Sequence, residues 1–111
     1  MNQTDNLQLI ENHLKKGQIP PNMLATYKAQ LAGEYSFCSG MLEDVLARKP
    51  SVWIAMRPNH NSDKATDREY EATSDGINEV GLRLKMKRIE KMISAFSSLL
   101  QVAEGEARNQ Y

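Results

Sequence analysis

The residues of this chain whose types could do chemistry are two histidines, one cysteine and two runs of charge. His13 and His60 lie far apart, and no His-x-x-x-His, Cys-x-x-Cys or glycine-rich phosphate loop accompanies them. The nearest approach to a metal-ligand set is His60 with Asp63 and Asp67, the two carboxylates one helical turn apart. The same spacing suits acidic residues that complement the positive end of a helix dipole, which is the preferred reading. Cys38 falls on an apolar seam, where a buried structural thiol is expected rather than a nucleophile. No base, nucleophile and metal converge, so the expectation is a non-enzyme without catalytic residues, metal or cofactor.

The charges carry more information. Fourteen Lys and Arg balance fourteen Asp and Glu, for a formal net charge of zero. That sum argues against a uniformly basic nucleic-acid binder and against an acidic DNA mimic. Along the chain the balance separates. Residues 63–79 hold Asp63, Asp67, Glu69, Glu71, Asp75 and Glu79 against Lys64 and Arg68, whereas residues 83–91 hold Arg83, Lys85, Lys87, Arg88 and Lys91 against Glu90. On a helix, Arg83, Lys87 and Lys91 form a ridge with Arg88 beside it, a strip able to meet phosphates. A solvated face whose partners are the upstream acidic residues is the simpler alternative. A second basic group, Arg48, Lys49 and Arg57, brackets Trp53. Basic residues with an aromatic between them suit single-stranded nucleic acid, although Trp53 as the plug that closes the tip of a hairpin is the preferred reading. The candidate nucleic-acid contacts are therefore Arg48, Lys49, Trp53, Arg57, Arg83, Lys87, Arg88 and Lys91.

Helices must position these side chains. Residues 4–16 predict a short helix capped by Thr4 or Asp5, with Leu7, Ile10 and Leu14 at helical spacing and Gly17 as a left-handed stop. After Pro20-Pro21, a long helix is expected over 21–48. Leu24, Leu31, Cys38 and Val45 repeat every seven residues on it, Tyr35 and Leu42 fill the alternate seam, and Lys28 is the exception. Gly33 and Gly40 share one face, open to another backbone or simply weakening the helix. Lys49-Pro50 is expected to end it, with a connection over 49–62 in which Ser51–Met56 is a helical turn or an extended segment. A helical C-terminal half over 63–107 follows, interrupted near 73–76. Its seam is the clearest signal in the chain: Leu82, Met86, Ile89, Ile93, Phe96, Leu100 and Ala103 step alternately by four and three, and Met92 and Leu99 widen the stripe.

The fold expected is all-α: an antiparallel long helical hairpin, coiled-coil-like, with a short N-terminal helix and a polar connecting segment. One domain fits the length of 111 residues. With 41% hydrophobic and 6% aromatic residues, a large solitary core is not expected, and burial against a second copy makes a homo-oligomer the expected state. The seam Leu82, Met86, Ile89, Ile93, Phe96 and Leu100 would serve core or oligomer. No apolar run is long enough to span a bilayer, the N-terminal residues lack the pattern of a signal peptide, and the lone cysteine suits a reducing compartment. A cytoplasmic protein, with no membrane partner, is the expectation.

The stretch Ser62-Asp63-Lys64-Ala65-Thr66-Asp67-Arg68-Glu69-Tyr70-Glu71-Ala72-Thr73, the heptad helix after it and Glu106-Ala107-Arg108-Asn109 resemble short helical accessory proteins of tailed phages. In layout, residues 24 to 108 are similar to the UvsY-type recombination mediators: a long first helix, a polar middle with Asp-Arg-Glu-Tyr-Glu, and a long last helix. That resemblance implies a small helical oligomer in the cytoplasm of a bacterial host. It would help load a recombinase onto single-stranded DNA coated with its binding protein. The function expected is thus a non-enzymatic phage helper that binds single-stranded DNA or a DNA-bound protein. The alternatives are an inhibitor or adaptor acting on a host protein, in anti-defence, or a virion assembly component.

Overall fold

The computed structural model describes the backbone of residues 3–17 and 19–109, and side chains for 7–17, 19–20, 22–102 and 105. The described residues are all-helical, in the order α1 (Gln3–Lys16), α2 (Pro21–Met56), a 3-10 turn η1 (Arg57–Asn59), α3 (Asp63–Ala72) and α4 (Ser74–Asn109). The expected caps Thr4 and Asp5, and the side chains of Ala103, Glu106, Ala107, Arg108 and Asn109, lie outside the described residues. Two compact units divide the chain, residues 1–36 with 87–111, and residues 37–86.

The first unit is built by α1, the beginning of α2 and most of α4. Gly17 adopts φ +67, the left-handed stop that its lack of Cβ makes cheap, and its N–H closes the helix on the carbonyls of His13 and Leu14. Leu7 and Ile10 of α1 are buried with Leu24, Tyr27 and Leu31 of α2 and Ile89, Met92 and Phe96 of α4. Phe96, fully buried, meets the Tyr27 ring at a centroid distance of 5.8 Å, and the Tyr27 hydroxyl is joined to His13 Nδ1 at 2.8 Å. A buried phenol needs such a partner, so His13 serves packing. On the rim, Tyr35 donates its hydroxyl to Glu90 at 2.8 Å and Arg88 Nε donates to Glu11 at 2.6 Å.

The α4 seam is part-buried within the chain. Ile89 and Phe96 are buried, and Leu82, Met86, Ile93 and Leu100 are half-buried. Met92 is as deeply placed as the seam positions, whereas Leu99 is exposed. The stripe is thus rotated towards Met92 rather than widened evenly. Real helices repeat every 3.6 residues, and a strict heptad drifts around their surface.

In the second unit, α2 does not stop at Lys49-Pro50. It continues through Pro50 to Met56, so residues 49–56 are helix and not connection. Proline inside a helix removes one hydrogen bond and crowds the preceding turn, costing about 3 kcal/mol. Two features of the site offset that cost. Pro50 and Leu46, whose carbonyl is left without its helical donor, are both exposed residues, on the side of the helix away from the packed face. Side chains on either side of the proline, Val45 and Lys49 before it and Val52, Trp53 and Met56 after it, turn to the packed face.

The segment 63–107, expected to be helical with an interruption near 73–76, is divided at Thr73. Ser62 caps α3 by accepting from Ala65 N at 3.1 Å, and the carbonyl of Ser62 accepts from the buried Thr66 hydroxyl at 3.0 Å. Thr73 ends α3 with φ −73, ψ 162 and begins α4 at the same time. Its hydroxyl donates to Tyr70 O at 2.6 Å and accepts from Gly76 N at 3.0 Å.

Candidate functional site: a charge-paired face in residues 37–86

The end of α2 lies along α3 and the start of α4 with a row of polar contacts. Arg48 donates twice to Asp75, Nε to Oδ2 at 3.2 Å and Nη2 to Oδ1 at 3.1 Å. Lys49 Nζ reaches Glu79 at 3.2 Å and stands 4.9 Å from the centroid of the Tyr70 ring. The indole N–H of Trp53 donates to Asp67 at 2.7 Å. Arg57 donates to Asp63 at 2.8 Å and to the carbonyl of His60 at 2.7 Å, and His60 pairs with Glu69. Lys49, Trp53 and Arg57 are spaced by four and so share one ridge, with Arg48 at its side.

These contacts set the electrostatics. The Arg48 guanidinium hydrogen-bonded to Asp75 holds that carboxyl below its ordinary range, and Asp75 in return raises Arg48. Burial pushes the Tyr70 phenol up, and Glu79 adds to the effect. Its hydroxyl is buried without a hydrogen-bond partner among the described residues. In the other unit, the hydrogen bond from Arg88 lowers Glu11, and that to Glu90 raises Tyr35.

The basic strip expected on α2 is therefore present as a strip, and each member is engaged. Arg48, Lys49 and Arg57 face carboxylates, and Trp53 is half-buried with its N–H occupied. Of the α4 ridge, Arg83 lies 3.6 Å from Glu79 one turn earlier and Arg88 pairs with Glu11. Lys87 and Lys91 are exposed and have no ion-pair partner among the described residues. His60, Asp63 and Asp67 do not converge, since Glu69, Arg57 and Trp53 take one each. No group of three or more His, Cys, Asp or Glu side chains among the described residues is placed to hold a metal. Cys38 is buried on the seam and forms no disulfide.

Two features escaped the sequence. Gly76 stands with its α-carbon against α3, where a Cβ would meet the carbonyl oxygen of Tyr70 and come within 2.8 Å of the Glu71 α-carbon. Gly33 and Gly40, which did attract notice, have open space in front of them. The other is the set Ile77, Val80 and Leu84 on α4, 61%, 50% and 62% exposed and spaced as one face. Their periodicity was readable, but it lies opposite the stronger seam of the same helix. No family model matches the chain, and neither a curated protein nor a solved structure matches it. No helix among the described residues is long and apolar enough to cross a membrane.

Proposed function

We propose that this protein is a non-enzymatic helper, recombination-mediator-like, that self-associates and binds a protein already seated on single-stranded DNA, with direct DNA contact as the lesser part. The observation that carries this weighting is the pairing of Arg48, Lys49, Arg57, Arg83 and Arg88 with carboxylates of the same chain. A cation already satisfied must exchange one anion for another, and only the release of counterions favours the exchange. Lys87 and Lys91 remain open to phosphate. The exposed side chains of Ile77, Val80 and Leu84 are suited to a protein and offer little to a phosphate backbone. Support for the non-enzymatic reading comes from the hydroxyl nearest His60 in sequence. Ser62 Oγ is occupied in capping α3.

The test is retention on short single-stranded DNA, bare or coated with a single-strand-binding protein, at about 50 and 200 mM salt. Retention on coated DNA at both salts, with weak and salt-lost retention on bare DNA, is the expected pattern. Equal absence from both removes the reading and leaves the adaptor acting on a host factor. Light scattering is expected to show more than one copy, and a monomer at every concentration would remove self-association.

A further inference from the structure

We propose that the first half of α3 is an intramolecular stand-in for single-stranded nucleic acid: its Asp67 and Asp63 cover Trp53 of α2 and Arg57 of η1, and swinging it away opens these two to a base and a phosphate. This rests on the single-strand part of the function proposed above and identifies the surface and the element that gates it.

The strip has the composition and spacing that single strands use. Lys49, Trp53 and Arg57 rise about 6 Å per step along one ridge, and Arg48 beside them presents a fork already holding a carboxylate through both arms. An indole flanked by cations favours an unstacked base over a duplex. Each group now meets an anion where a nucleic acid would place one: Asp63 on Arg57, Asp67 on the Trp53 N–H, Glu79 on Lys49.

The cover is held by few side chains. In α3 only Thr66, fully buried in the first half, and Tyr70 are buried. Asp63 is 76% exposed in its pair with Arg57, and exposed pairs contribute about 0–1 kcal/mol each and are screened by salt. The buried Tyr70 hydroxyl, without a partner among the described residues, subtracts from the attachment. At the far end, Gly76 packs on the Tyr70 and Glu71 backbone and Thr73 bonds to both helices. A swing of the first half releases Asp63 and Asp67 while leaving Asp75 and Glu79 in place.

The experiment compares the wild type, Asp63→Asn with Asp67→Asn, and a control pair Glu43→Gln with Glu71→Gln. The control makes the same change in net charge at the exposed positions 43 and 71, whose carboxylates take no part in the pairs that cover the strip. Binding of a short single-stranded oligonucleotide is read by the fluorescence of Trp53, the single tryptophan. The first pair is expected to bind about tenfold tighter than either other protein at about 50 mM salt, with quenching by base stacking. Adding Arg57→Gln should abolish the gain. Equal strengthening by both pairs, no strengthening by the first, or an equal gain on duplex DNA overturns the proposal. Should the double variant lose helix by circular dichroism, Asp63→Asn alone provides the same comparison. Retention of the wild type on coated DNA is scored separately, so that reading and this one can fail independently.

Discussion

Gly76 occupies the third residue of α4, where the chain has just turned through Thr73 and its backbone lies against the last turn of α3. An alanine there must displace the Tyr70 carbonyl and the Glu71 α-carbon, both backbone atoms that do not yield as a flexible side chain would. Gly76→Ala is expected to cost about 2–3 kcal/mol, as overpacking of a close contact does. Gly40→Ala, facing open space in mid-helix, is expected to gain up to about 1 kcal/mol. Denaturant unfolding of the two variants checks both signs. Glycine in a helical pattern reads as a weakness in either position. Only the neighbouring backbone separates the one that is required from the one that is merely tolerated.

At the scale of the element, α3 and the end of α2 depend on charge more than on burial. Arg48 holds Asp75 low, and Arg88 does the same for Glu11 in the other unit. A carboxylate depressed in the folded state contributes stability that is present above its unfolded value near pH 4 and lost as pH falls through the folded value. The denaturation midpoint is therefore expected to be level from about pH 7 to 5 and to fall below about pH 4. Asp75→Asn should lower the plateau and flatten part of the acid slope. An unchanged slope would show that Arg48 and Asp75 are not coupled. Pro50 belongs to this scale as well. Its residue type marks a break, but the packed face on both sides carries the helix through.

At the scale of the whole molecule each unit carries its own core, and in the first it is formed by Leu7 and Ile10 of α1, Leu24, Tyr27 and Leu31 of α2 and Ile89, Met92 and Phe96 of α4. Phe96→Ala, which empties a fully buried site against Tyr27, is expected to cost about 3–5 kcal/mol. Leu84→Ala, mostly exposed, should stay within about 0.5 kcal/mol by the same unfolding assay. Similar losses from both would mean that Leu84 is covered in solution. The amino-acid sequence by itself determined the all-helical class, the Gly17 stop and the two heptad seams, because 3.6-residue periodicity and caps are local properties of a chain. It also showed an acidic run and two basic groups, yet not which cations meet which anions. Only the tertiary structure decided that Arg48, Lys49, Trp53 and Arg57 lie under Asp75, Glu79, Asp67 and Asp63, and that Pro50 lies within a helix. Pairing depends on which faces are brought together across a turn at Thr73, and no local pattern encodes that meeting.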